Sequence, residues 1–260
     1  DLNRYRNRPM REKFSQKPVF IYPHTPFTWW IWDGIYRAHP VSCNFVGSEA
    51  IKNAMGAYGY PYRVETCGFS RCSVKPWKAT EGKVLLYAPN HPITKKHELR
   101  KRDKPVTART FAHILKIAPS FEKVIIRYGY SLEASEIWDP KMPNVEFQLS
   151  DLTTTSSIEA IDAADLVIAG QTLGYLAVAR GKPTLFFNQY GIAPYETSGH
   201  VKSYKKYTWI DFPAQFDGAT AADLQRFVRE PDFAVEEWKI KNIGETFNPT
   251  KVLSVIREFV

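Results

Sequence analysis

The sequence predicts an α/β protein built on doubly wound parallel sheets. Short apolar runs recur along the chain, helix-sized stretches separate them, and the runs are punctuated by Gly, Pro and Asn. Strands that alternate with helices pair in parallel, and such sheets hold ligands in the crevice beyond the strands' carboxyl ends. Functional residues are therefore expected on the loops that follow strands.

The first apolar run covers residues 19–22, is stopped by Pro23, and leads into the aromatic-rich stretch HTPFTWWIWDGI. SCNFVG at 42–47 predicts a strand, Ser48 caps a helix running to Tyr58, and YRVETCG at 62–68 predicts another strand. SRCSVKPWKATEGK lacks periodicity and carries Pro76 and Gly82, which marks a linker over 76–82.

From Lys83 the α/β grammar strengthens. VLLYAP predicts a buried strand, residues near 106–118 a helix, KVIIRYG the next strand and NVEFQL a third. A helix over 157–164, the strand DLVIAG, a helix from Leu173 to Arg180 ended by Gly181, and the strand PTLFF follow. Two amphipathic helices, near 221–229 and 249–259, close the chain. The expected organisation is a partial domain over 1–75, the linker, a second domain over 83–212, and C-terminal helices over 213–260 that pack back across both.

Composition narrows the class. With 44% hydrophobic and 24% charged residues, the chain has the profile of a soluble globular protein, and no window approaches the roughly eighteen apolar residues of a spanning helix. Cys43, Cys67 and Cys72 form no CxxC pair, which fits a reducing, cytoplasmic compartment. A net charge of +8 favours an acidic partner: a nucleotide diphosphate, a nucleic acid or an anionic membrane surface at which the protein sits peripherally. A merely basic, soluble surface explains the charge equally well.

Three loops after strands, and one earlier segment, carry candidate chemistry. Asn90 and His91 follow VLLYAP, where an imidazole can bond a phosphate or ribose, or simply occupy a turn beside Pro92. Arg127 ends KVIIRYG, with Glu133 close behind; its guanidinium suits a diphosphate, or a structural ion pair with Glu133. Gly170 ends DLVIAG, and Gln171, Thr172, Leu173 and Gly174 follow it and open a helix, so unpaired amides and the helix dipole face an arriving anion. The TTTSS run at 153–157 is expected to cap the next helix. In the first segment, His24 stands near Asp33 among three tryptophans, and an imidazole beside a carboxylate can take the proton of an acceptor hydroxyl. Against that, clustered tryptophans more often pack domains together and a lone histidine is more often structural.

These blocks together resemble the GT-B glycosyltransferase superfamily, nearest to its CDP-glycerol glycerophosphotransferase-like branch. YPHTPF at 22–27 is similar to that branch's WHGTPLK turn, VLLYAPNHP at 84–92 to its ILYAPT strand, and IDAADLVIAGQTLGYLAVARGKPTLFF at 161–187 to its AD-x-x-I-T-D-Y-S-S loop and K-P-x-x-F strand. The resemblance implies two Rossmann-like domains facing a cleft, a nucleotide-activated donor held by the C-terminal one, His24 as base, and donor phosphates on Gln171–Gly174. It implies no metal and no cofactor beyond the donor itself, a nucleotide sugar or CDP-polyol. The chain departs from the branch where DYSS becomes GQTL, which points toward a nucleotide sugar, and where the R-x-D of the branch's interdomain turn becomes Arg71-Cys72-Ser73. About half of an N-terminal domain is present. Its remainder is expected before Asp1, from a partner chain, or not at all in an unusually small acceptor domain.

The leading expectation is a metal-independent glycosyltransferase acting on a hydroxyl acceptor, either a glycan or cell-surface polymer or a modified DNA base. A non-catalytic GT-B-like subunit or nucleotide-sugar sensor is the contrasting class. A nucleotide-sugar epimerase shares the architecture, but the paired-acid motif of its donor loop is missing around Gly170–Gly174.

Overall fold

A computed structural model of the chain describes residues 17–22, 41–57, 59–89, 104–128, 141–149, 155–169, 171–187, 212–230 and 232–259. The chain divides into two compact units, one formed by Asp1–Val74 with Trp238–Val260 and the other by Lys75–Glu237.

In the first unit three strands, β1 (Phe20–Ile21), β2 (Cys43–Val46) and β3 (Val64–Thr66), pair in parallel in the order β1-β2-β3. Helix α1 (Glu49–Ala57) links β2 to β3 and packs on both, with Ile51 and Met55 buried. Ser48 caps it weakly, its Oγ accepting from the Ile51 amide at 3.4 Å. The strand expected over 62–68 is shorter at its end, because the Cys67 amide still bonds Val46 O of β2 but from the Cys67 carbonyl onward the backbone bonds elsewhere. The carbonyl of Cys67 accepts from Asn248 N at 2.8 Å, and Phe69 N donates to Glu245 O at 2.7 Å. This pairing brings in helix α7 (Pro249–Arg257), whose Val255 joins Cys43, Phe45 and Cys67 in a small core flanked by Phe20, Val252 and Ile256. Burial pushes the Cys67 thiol up to about 12, so it behaves as an apolar core residue.

The second unit holds a five-stranded parallel sheet of β4 (Val84–Ala88), β5 (Lys123–Tyr128), β6 (Val145–Leu149), β7 (Leu166–Ala169) and β8 (Thr184–Phe186). Its spatial order is β6-β5-β4-β7-β8. The chain winds outward from β4 to β6, then returns to the other side of β4, so the winding reverses between β4 and β7. All four residues of β7 are completely buried, as expected for a parallel strand covered on both faces. The connecting helices are α2 (Lys104–Ile117), α3 (Ser157–Ala163) and α4 (Gln171–Ala179). Two more follow, α5 (Ala221–Phe227) and α6 (Phe233–Asn242), the latter containing the boundary between the units.

Gly181 ends α4 as its sequence position suggested. Its φ of 72° is left-handed, Gly181 N and Lys182 N return to Val178 O and Ala177 O, and a Cβ there would lie 1.9 Å from Pro76 O. Residues 75–80 carry no helix or strand, yet they are docked along this unit. Lys75 N donates to Ala179 O, Lys78 N to Gly181 O and Thr80 N to Val228 O, while the Trp77 ring packs edge-on against Phe227.

Candidate functional site at the carboxyl end of the second sheet

In open parallel sheets, ligands bind beyond the carboxyl ends of the strands where the winding reverses, which here is between β4 and β7. The loops that follow these two strands are two of the three the sequence singles out, and the strands' last residues, Ala88 and Ala169, are register partners. Asn90, His91 and Gly170 themselves lie outside the described residues, as do His24, Asp33 and Glu133. Arg127, Gln171, Thr172, Leu173 and Gly174 lie within them.

Arg127 is the central feature. Tyr87 pairs with Ile126, so Ala88 stands level with Arg127, and through Ala88 so does Ala169. Arg127 and the last residue of β7 are therefore two strand spacings apart, about 10 Å. Residues level with one another on parallel strands face the same way. Helix α4 covers that face, because Phe186, the partner of Ala169, touches Gly174 and Tyr175.

The Arg127 side chain is 3% exposed. Its Nη1 donates to Gln148 Oε1 and its Nη2 to the Thr155 carbonyl, each at 2.9 Å. Its Nε is buried with no partner among the described residues. Burial alone pulls the guanidinium's pKa down, with no carboxylate acting against it. A buried cation of this kind normally has a carboxylate partner, and among the described residues this one is held by two neutral oxygens.

The helix from DLVIAG starts at Gln171, two residues before the expected Leu173, since a single residue separates β7 from α4. Gln171, Thr172 and Leu173 thus form its first turn, whose amides have no intrahelical acceptor. Gly174 is already inside the helix. A Cβ built on it would stand 2.5 Å from Phe186 Cζ, so close packing of helix on strand accounts for this glycine.

Two other helix starts in this unit are closed by their own side chains. Ser156 Oγ accepts from Glu159 N at 3.1 Å and Glu159 Oε2 from Ser156 N at 2.6 Å, a capping box that fulfils the expected role of the TTTSS run. Thr220 and Asp223 make the same arrangement on α5. The first turn of α4 carries no acidic residue.

Gln148 and the Thr155 carbonyl were not foreseen. The alternation in NVEFQL puts Gln148 opposite the face of Val145, Phe147 and Leu149, which is legible in sequence. Its neighbour across the sheet is not. Among the described residues no group of three His, Cys, Asp or Glu gathers to hold a metal ion, and no helix is long and apolar enough to cross a membrane.

Two α/β units with parallel sheets, the second wound about a switch point, define a GT-B-like fold of two Rossmann-like domains, the N-terminal one partial. No protein-family model matches the sequence, and no curated protein matches it. Among solved structures the chain is similar to a protein assigned as a UDP-N-acetylglucosamine 2-epimerase from Listeria monocytogenes, with TM-score 0.52 and 12% identity over 96% of this chain and 69% of that one. It is also similar to a variant of S. aureus TarM in complex with fondaparinux, alpha-GlcNAc-glycerol and UDP, with TM-score 0.48 and 12% identity over 93% of this chain and 50% of that one. A third is the calicheamicin glycosyltransferase CalG4, with TM-score 0.42 and 15% identity over 94% of this chain and 72% of that one. The chain thus spans half the length of the TarM variant.

Proposed function

We propose that this chain binds a nucleotide-activated donor and transfers its glycosyl or polyol-phosphate group to a hydroxyl acceptor. The observation that carries this reading is the buried Arg127, without a carboxylate partner among the described residues, level with the end of β7 and on the face covered by α4. A guanidinium and a helix start at one end of the sheet supply what the leaving group needs, a nucleoside diphosphate in glycosyl transfer or a nucleoside monophosphate in polyol-phosphate transfer, since its charge grows as the bond to the transferred group breaks. In this reading no metal is required for that stabilisation.

Asn90, His91, Glu133 and Gly170 complete the donor loops, with Gln171, Thr172 and Leu173 giving amides to the phosphates and Gly174 setting how closely α4 approaches β8. His24 accepts the acceptor's proton, oriented by Asp33. The replacement of DYSS by GQTL favours a nucleotide sugar over CDP-glycerol as donor, and a glycan is the first acceptor to test, with duplex DNA the second.

The test is binding followed by turnover. A nucleoside diphosphate at about a hundred times its Kd raises stability by ~2.7 kcal/mol, readable as a thermal shift for UDP against CDP. Labelled UDP-sugars and CDP-glycerol are then incubated with glycan and DNA acceptors, for wild type and for His24→Ala. Transfer that disappears in His24→Ala supports the reading. Epimerised donor with no acceptor consumed, or nucleotide binding without turnover, replaces it with an epimerase or a sensor.

A further inference from the structure

We infer that Gln148 is a positioning residue whose neutral amide leaves Arg127 without a carboxylate partner among the described residues, so that the counter-ion is supplied by the ligand's diphosphate. This inference rests on the proposed binding of a nucleotide donor at the carboxyl end of the second sheet.

The position occupied by Gln148 is where a carboxylate would be expected. Its Oε1 lies 2.9 Å from Arg127 Nη1, and the residue itself is 9% exposed. A Glu side chain of the same length would form a buried ion pair, quench the guanidinium and fill the role of an anion permanently. A glutamine makes the same hydrogen bond without the charge.

The amide is also held the right way round. Gln148 Nε2 donates to Glu146 Oε1 at 2.7 Å, which leaves Oε1 as the atom facing Arg127. The Glu146 carboxylate is occupied at the surface, its Oε2 paired with Lys123 Nζ at 2.5 Å and its pKa lowered mainly by that lysine. The negative charge of this strand is thus taken up by Lys123, and a dipole rather than a carboxylate reaches the arginine. From the other side the Thr155 carbonyl takes Nη2 at 2.9 Å. Two of the guanidinium's five N–H groups are engaged by described residues, the plane is fixed, and Nε is left without a described partner.

A fixed, uncompensated guanidinium suits a ligand that brings at least one full negative charge and several acceptor oxygens, which is the chemistry of a diphosphate.

The experiment compares wild type, Gln148→Glu and Gln148→Met in isothermal titration with UDP and with inorganic pyrophosphate, at several pH values, alongside melting curves without ligand. Gln148→Glu is expected to melt no lower than wild type and to bind both anions about tenfold or more weakly near neutral pH. Its affinity should recover on acidification as the introduced carboxyl is protonated. Gln148→Met, which loses the positioning bond without adding charge, should bind more weakly with no such recovery. Wild-type affinity in Gln148→Glu, or a loss that does not change with pH, overturns the inference. If wild type binds pyrophosphate but not UDP, and Gln148→Glu loses it with the pH signature, the inference stands and the nucleotide reading falls. If wild type binds neither, the anion role of Arg127 falls.

Discussion

The two ends of the second unit's sheet each carry a largely buried arginine, and they treat its charge in opposite ways. At the amino end Arg180, whose side chain is 13% exposed, donates through Nε to Asp162 Oδ1 at 2.9 Å and through Nη2 to the other oxygen of the same carboxylate. Lys182 Nζ bonds the carbonyls of Asp162 and Ala164, closing the end of α3, and Asp165 Oδ2 accepts from the amides of Lys83 and Val84. Every charge named there has its partner inside the fold. At the carboxyl end Arg127 touches an amide and a carbonyl, and the first turn of α4 has no acidic residue. Among the described residues, the arginine at the amino end is paired with a carboxylate, whereas the one at the carboxyl end is bonded to neutral oxygens.

That contrast can be broken at several points. The largest effect belongs to Arg127→Met, which should remove more than about 2 kcal/mol of nucleoside-diphosphate affinity in titration calorimetry while leaving the melting temperature unchanged or higher, because an uncompensated buried charge is gone. A lower melting temperature with unchanged affinity would place Arg127 with Arg180, as a structural residue.

Next in size is Gly174→Leu. Its side chain meets the Phe186 ring, and denaturant unfolding should show a loss of about 1–3 kcal/mol. Full stability in that variant would mean that α4 sits further from β8 than described.

Ser156→Ala opens the start of α3 and should lower stability by about 1 kcal/mol. Because Thr155 precedes the cap and its carbonyl holds Arg127, a small weakening of nucleotide binding should accompany it.

The smallest effect is at the amino end. Asp162 is partly exposed, so Asp162→Asn should remove less than about 1 kcal/mol and leave nucleotide affinity unchanged. Arg180 holds the Asp162 carboxyl below its ordinary value, so the unfolded chain takes up this proton first as pH falls. The stability difference between wild type and Asp162→Asn should be constant above about pH 5 and shrink below about pH 4, as the pH approaches the folded carboxyl's pKa. A difference that grows on acidification contradicts the pairing.

Much of the second unit was legible because local rules governed it. The apolar run VLLYA, the all-buried LVIA and the turn at Gly181 answer to strand burial and to a left-handed φ that favours glycine. The TTTSS run fulfilled its capping role for the same reason, since a capping box spans only four residues. Less local features were missed. The strand expected at 62–68 shortened because residues 245–248 compete for its backbone. The start of α4 moved to Gln171 because the turn after β7 is a single residue.

The sequence by itself determined the alternation of strand and helix, the end of α4, and which residue types stand after each strand, because each depends on neighbours a few positions away. Tertiary structure alone decided that β4 and β7 lie side by side and that Arg127 is level with Ala169. It alone decided that Gly174 faces Phe186 and that the partner of Arg127 is the amide of Gln148, not a carboxylate. These follow from strand order and register, which bring together residues twelve to more than forty positions apart. Charge compensation depends on such long-range neighbours, so the feature on which the proposed anion site rests was invisible until the strands were paired.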